Sequence, residues 1–309
     1  MIKIGTVNID TSHPHAFAEY LLKGGRARYT EIYNDAFRTD AEVDAFVAKY
    51  DLKRRRYSLD EMAKSVDIAL IQGCDWDKHL ALAEPFIKAG KPVFIDKPIA
   101  GRLSDLEKFE VYAKSSAVIL GSSSMRYTFE HQEFFAKSES ERGKIVHISA
   151  TVGVDEFNYA IHAVESILGL TSTAKPVSTE YIGNGITDSS ECDSFFVKFD
   201  SGITATYHIC TPAWQPSTLT IVTTKTTFPI KIDSSKVYEA MLDQLLNYLE
   251  GKDNIIATTE QLCDSVRIML AGKKSKLNGG DEVKIADLKD EMLFDGAAFE
   301  KFYESQQRK

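Results

Sequence analysis

The chain has 309 residues, 45 acidic side chains against 37 Lys and Arg, and a formal net charge of −8. That length suggests about two domains. With 18 Gly, 8 Pro and 43% hydrophobic residues, neither a collagen-like nor a disordered chain is possible, and the negative balance argues against bulk nucleic-acid binding.

The first third alternates strand and helix. Ile2 to Val7 reads as a buried strand, and Pro14 to Lys23 as a helix stopped by Gly24-Gly25. Ala27 to Tyr33 is a second strand, and Ala41 to Tyr50 has helical spacing. Ser58 and Glu61 form a capping box. Asp67 to Ile71 is a strand, and His79 to Ala89 is a helix containing Pro85. Pro92 to Ile95 is a strand, Ser104 and Glu107 are a second capping box, and Ala117 to Leu120 is a further strand. Continuously apolar strands imply burial on both faces, hence a parallel sheet covered by helices. Residues 1–122 are therefore expected to form an α/β, doubly wound Rossmann-type domain that binds a dinucleotide.

Beyond Gly121-Ser122-Ser123-Ser124 the pattern changes. Ile145 to Val152, Ser194 to Phe199 and Ile203 to Ile209 alternate in polarity, with Asp200-Ser201-Gly202 as a hairpin turn. Thr218 to Ile232 is strand-like and interrupted by Pro229, while Val237 to Leu249 and Glu260 to Leu270 read as helices, the latter behind a Thr258/Gln261 capping box. Residues 123–309 are expected to be an α+β domain with a largely antiparallel sheet, serving substrate binding and oligomerisation.

The turn after the first strand is where a dinucleotide-binding domain holds pyrophosphate. The glycines of G-x-G-x-x-G fall at Asn8, Asp10 and His13 in this chain. Asn8 tolerates a left-handed turn. A carboxylate at Asp10 ~4 Å from a phosphate charge would cost about 4 kcal/mol at an effective dielectric near 20. Either it points away or phosphate does not sit there in the usual way. Thr11 and Ser12, with the amides that follow, are anion ligands at a helix start. Asp35, after the second strand, stands where a ribose is gripped, which favours NAD over NADP. Asp96-Lys97-Pro98 ends a parallel strand and points at the ligand crevice. Trp76 can stack on a ring or pack. His13-Pro14-His15 lacks further ligands at metal spacing, so no metal is expected. Lys53 to Arg56 reads as a solvated basic edge. The four cysteines, 74, 192, 210 and 263, form no CxxC pair and read as reduced thiols of a cytoplasmic protein. No apolar run or signal-type core suggests a membrane.

Tyr57 to Gly101, with Gly90-Lys91 and Lys97-Pro98, resembles the Gfo/Idh/MocA family of NAD(P)-dependent sugar and polyol oxidoreductases, with Asp96 replacing the usual Glu. Gly143-Lys144-Ile145 and Phe199-Asp200-Ser201-Gly202 resemble family motifs of the second domain. The resemblance implies that His79 and Pro98 border the coenzyme. It implies that Lys97 and His162 act at the substrate hydroxyl, His162 as the base and Lys97 holding the oxygen. The family's D-x-x-x-H appears as Asn158-Tyr159-Ala160-Ile161-His162, so the carboxylate is missing, with Tyr159 and Glu165 as candidate substitutes. Arg126 and Tyr127 are expected near the substrate. The reading is a hydride-transfer enzyme acting on a hydroxyl or keto carbon of a small sugar, polyol or related compound. It would use NAD or NADP and associate as a homodimer or higher oligomer through the second-domain sheet. A binding or regulatory protein on the same scaffold, and a redox-neutral lyase retaining its cofactor, stay open beside it.

Overall fold

A computed structural model describes residues 1–171 and 173–308. The chain divides into two compact units, residues 1–122 with 242–260 and 295–309, and residues 123–241 with 261–294. The sequence reading placed everything after 122 in the second domain, and the structure instead returns two later segments to the first unit.

The first unit is built from β1 (Ile2–Val7), α1 (His13–Gly24), β2 (Ala27–Tyr33), α2 (Asp40–Lys49), β3 (Arg54–Arg56), α3 (Leu59–Ala63), β4 (Ile68–Ile71), α4 (His79–Lys88), β5 (Val93–Asp96), α5 (Leu103–Lys114) and β6 (Ile119–Ser122). All six strands are parallel, in the order β3-β2-β1-β4-β5-β6. Every residue of β4, β5 and β6 is buried, as strands covered on both faces must be. The chain reverses direction across the sheet between β1 and β4, and ligands of such sheets bind outside the strand carboxyl ends at that point. The basic run at 54–56 forms β3, an edge strand of the sheet. Arg55 pairs with Asp40 and Asp44, and Arg56 with Glu31. Ser104 is not the N-cap, because α5 begins one residue earlier behind Arg102.

The second unit contains α6 (Phe129–Ala136), α7 (Glu139–Arg142), β7 (Ile145–Gly153), α8 (Ala160–Leu170), β8 (Pro176–Ile186), β9 (Glu191–Phe199), β10 (Thr204–Thr211), β11 (Thr218–Thr223) and β12 (Thr227–Lys231). Its chain continues through α9 (Val237–Leu249) and α10 (Thr259–Leu277), which span the unit boundaries in sequence, to β13 (Val283–Lys284). Helix α11 (Gly296–Gln307) belongs to the first unit. The seven-stranded sheet runs β12-β11-β7-β10-β9-β8-β13 and is antiparallel except for the β7–β10 pair. One face is core, formed by residues such as Ile148, Ala150, Ala205, Tyr207, Leu219 and Ile221. The alternate positions, including His147, Ser149, Thr206 and His208, are half-buried and polar. Pro229 splits the predicted strand only in appearance. It lies in the edge strand β12, where a missing N–H is tolerated. Gly202 adopts φ 84° in the β9–β10 turn, a conformation that favours glycine. Cys192 and Cys210 face each other across β9 and β10 and form a disulfide, so the expectation of four reduced thiols is corrected.

Candidate active site

In the first unit the carboxyl ends of β1, β2, β4 and β5 collect most of the predicted cofactor residues. Asn8 follows β1 with φ 64°, the left-handed turn that a glycine would otherwise supply. Its side-chain N–H donates to Asp35 Oδ1 at 3.0 Å, and its carbonyl oxygen accepts the Asp35 backbone N–H at 3.0 Å. Asp35 is thus held at the end of β2, exposed to solvent.

Asp10 does point away from the loop's outer side. It is fully buried, and its Oδ2 accepts the Cys74 N–H at 2.9 Å, beyond β4. Among the described residues its Oδ1 has no hydrogen-bond partner. Burial pushes the Asp10 carboxyl up to about 6, against the lowering hydrogen bond from Cys74, and the charge of Glu300 adds to the rise. Arg38 donates to the Asp10 carbonyl at 2.6 Å, tying this loop to the one after β2. Thr11 accepts the His13 N–H at 3.2 Å, while Ser12 is exposed and makes no side-chain cap to α1.

His13 reaches across to β5. Its Nδ1 lies 2.6 Å from Asp96 Oδ2, and its ring stacks on Phe17 at 5.9 Å. Burial alone would raise Asp96, but the charge and hydrogen bond of His13, with the neighbouring Lys97, hold it below the usual carboxylate value. The Lys97 N–H donates to Asp96 Oδ1 at 2.8 Å, and the Lys97–Pro98 peptide is cis. Lys97 therefore emerges beside a buried carboxylate at the end of β5.

Two predicted coenzyme residues have packing roles. His79 is fully buried, with Nδ1 3.0 Å from the Pro98 carbonyl and Nε2 2.9 Å from that of Gly73, so it clamps the loops after β4 and β5 together. Trp76 is buried with its ring 5.0 Å from Phe299 of α11, which corrects its assignment as a stacking surface for a coenzyme. Sequence reasoning missed α11. Its signals were Asp295, whose side chain caps Ala298, and the aromatic spacing of Phe299, Phe302 and Tyr303. Gly296 makes the docking possible, because a Cβ there would lie 2.6 Å from Asp75 Oδ1. Tyr303 contacts Phe37 beyond β2, and Phe299 contacts Trp76 beyond β4. Helix α11 thus meets the segments that follow both β2 and β4.

In the second unit, Ser123 Oγ lies 2.6 Å from Nδ1 of His162, near the start of α8. Tyr159 is part-exposed and sets its ring edge against His162 at 5.7 Å. Asn158 turns to Asp155 at 3.4 Å. Two predicted substrate residues are corrected. Arg126 Nε donates to Glu165 Oε2 at 2.5 Å in a pair with side chains 4% and 0% exposed, so its charge is consumed internally. Glu165 is thereby also removed as a partner for His162. Tyr127 is fully buried and presents nothing to a ligand. Ser123 was missed because the serine run reads as a linker, with no signal that one hydroxyl meets a histidine. Among the described residues no group of three or more His, Cys, Asp or Glu could hold a metal, and His15 turns instead to the Tyr50 hydroxyl at 2.9 Å.

The residues present fit a dinucleotide held by a changed loop. Asn8 supplies the turn, Ser12 and the α1 start face outward, Asp35 retains an outward carboxylate oxygen, and the Asp10 carboxyl is turned inward.

Residues 4–124 match the model of the Gfo/Idh/MocA oxidoreductase family, described as having an NAD-binding Rossmann fold. Over this domain the chain resembles that family. Among solved structures it resembles a probable dehydrogenase from Thermotoga maritima, at 16% identity, TM-score 0.74, over 93% of this chain and 100% of that one. A scyllo-inositol dehydrogenase from Lactobacillus casei with bound NAD(H) and scyllo-inositol gives 16% identity and TM-score 0.74, over 93% and 100% of the two chains. A UDP-N-acetylglucosamine 3-dehydrogenase from Acidithiobacillus ferrooxidans gives 13%, 0.69, 89% and 97%. At these identities the likeness is one of fold. No curated protein matches the chain by sequence. Among the described residues no helix is long and apolar enough to cross a membrane.

Proposed function

We propose that the chain is an NAD(P)-dependent oxidoreductase that moves hydride to or from a hydroxyl or keto carbon of a sugar, polyol or related compound, with NAD preferred. The observation that carries this reading is the carboxyl edge of the parallel sheet, where Asn8 holds Asp35 outward and Lys97 leaves β5 beside the buried Asp96. A bound nicotinamide ring supplies the hydride acceptor or donor. The chain's own residues bind and move protons. Asp35 takes ribose hydroxyls through its outward oxygen, and Ser12 with the α1 start meets phosphate. Lys97 Nζ holds the substrate oxygen, and His162 takes or returns its proton.

The preference for NAD follows from Asp35, which would repel a 2′-phosphate. Association through the polar face of the seven-stranded sheet completes the proposal, and sedimentation equilibrium measures it.

Thermal unfolding with millimolar NAD, NADH, NADP and NADPH is the first test, since ligand at 100-fold over its dissociation constant adds about 2.7 kcal/mol. No shift with any of the four sinks the proposal and leaves a binding or regulatory role on the same scaffold. With a shift, Lys97→Ala and His162→Ala should abolish polyol oxidation and keep the shift.

A further inference from the structure

The family's D-x-x-x-H carboxylate is an asparagine here, which leaves His162 without its usual orienting group. We infer that the Ser123 hydroxyl is the positioning partner of His162 and sets which ring nitrogen carries the proton. The inference rests on the oxidoreductase reading only for what His162 does, since the contact itself is structural.

Three observations support it. Ser123 Oγ lies 2.6 Å from His162 Nδ1, within hydrogen-bond distance. Ser123 is itself fixed. It is fully buried at the start of the single helical turn Ser124–Arg126, and its Oγ accepts the Met125 N–H at 3.1 Å. Of the other candidates, Tyr159 sets its ring edge against His162, while Asn158 and Glu165 have polar partners of their own. Asn158 meets Asp155, whose Oδ1 accepts the N–H groups of Phe157 and Tyr159 at 2.9 Å each. Glu165 is bound by Arg126.

A hydroxyl oxygen has two acceptor sites. Met125 takes one; toward Nδ1 the hydroxyl can either donate its O–H or accept through its second site, and we assign the second, with Nδ1–H of His162 as the donor. That arrangement places the ring's lone pair on Nε2, the form required of a general base toward a substrate hydroxyl. A carboxylate would impose the same tautomer and also stabilise the imidazolium by its charge. A neutral serine orients the ring without that charge.

Nitrogen-15 spectra of the full chain labelled at histidine test this directly, with the His162 signals identified by their loss in His162→Asn. In the wild-type protein Nδ1 should carry the proton. In Ser123→Ala the tautomer should become mixed or reverse, and in Ser123→Thr, which keeps the hydroxyl, it should persist. In turnover, Ser123→Ala should lower kcat at least about 10-fold with KM changed less than about 2-fold, and Ser123→Thr should recover most of it. A wild-type ring protonated at Nε2 overturns the inference even if Ser123→Ala fails to fold. So do unchanged ring signals in a folded Ser123→Ala. If the wild-type protein turns over no polyol with any nicotinamide coenzyme, the oxidoreductase reading falls, while the ring signals still decide the role of Ser123.

Discussion

In the first unit the buried polar side chains Asn8, Asp10 and His79 are bound largely to loop backbone: the Asp35 amide, the Cys74 amide, and the carbonyls of Gly73 and Pro98. In the second unit polar side chains bind one another, as the buried Arg126 with Glu165, the buried Thr128 with His131, and the buried Ser123 with the part-buried His162. The first arrangement shapes loops at a sheet edge where a ligand can bind. The second locks helix α8 to the segment that precedes α6. Disturbing the first should alter ligand binding more than folding, and disturbing the second the reverse.

The largest expected effect lies in the second unit. Arg126→Met leaves Glu165 charged and buried, with one carboxylate oxygen already unpartnered among the described residues. Removing one partner of such a pair costs about 3–5 kcal/mol. Replacing both, as Arg126→Met with Glu165→Leu, should recover most of the loss, because the pair's own desolvation cost disappears with it. Urea unfolding measures both. A single variant losing under about 1 kcal/mol would erase the contrast between the units.

Acid and base should separate the units next. Asp10 titrates at about 6 in the folded chain, against an ordinary value of 3.8, because burial favours the neutral acid. Its stabilising share is complete below 3.8 and is lost as pH rises through 6. His131 is lowered from 6.5 to about 4 by burial, so its share is complete above 6.5 and is lost as pH falls through 4. At ~1.4 kcal/mol per unit each is worth about 3 kcal/mol. Asp10→Asn should therefore raise stability at pH 8 and lose that gain by about pH 4, while His131→Gln should flatten the acid limb. Urea midpoints across this range decide the matter, and parallel curves for both variants and wild type would contradict the assignment.

A smaller effect tests how α11 belongs to the first unit. Phe299 is half-buried against Trp76, so Phe299→Ala should cost about 2 kcal/mol, less than a fully buried phenylalanine. Trp214 is exposed, so any red shift of tryptophan emission would report Trp76. Unshifted emission would mean that α11 stays docked without this contact.

The same contrast explains what the sequence disclosed. The strands of the first unit were readable because burial on both faces leaves continuous apolar runs, and the β5 motif at Asp96-Lys97-Pro98 was readable because its elements are contiguous. Helix α11 was not, because its docking partners, Phe37 and Trp76, lie over 200 positions away and its cap is a single Asp. In the second unit Arg126 was read as a ligand for substrate because charge suggests exposure. Only the fold brings Glu165 to within 2.5 Å and makes the charge internal. Ser123 illustrates the same limit, since a hydroxyl in a serine run carries no sign of the ring it meets.

The finest test returns to the glycine-free loop. Asn8→Gly restores the residue type usual at that turn and keeps the φ of 64° accessible, so the turn itself should survive. What disappears is the double clamp on Asp35, and two part-buried hydrogen bonds of this kind are worth about 1–2 kcal/mol, offset in part by relief of the left-handed conformation at a non-glycine residue. Net stability should therefore fall by less than about 1 kcal/mol. The effect on ligand choice should be the more visible one. An Asp35 no longer held outward can turn from a 2′-phosphate, so the ratio of NAD to NADP affinity should shrink by several-fold, measured by titration calorimetry. An unchanged ratio would show that the clamp serves the loop's shape alone, and a ratio that grows would mean that Asn8 restrains Asp35 from its best contact with ribose.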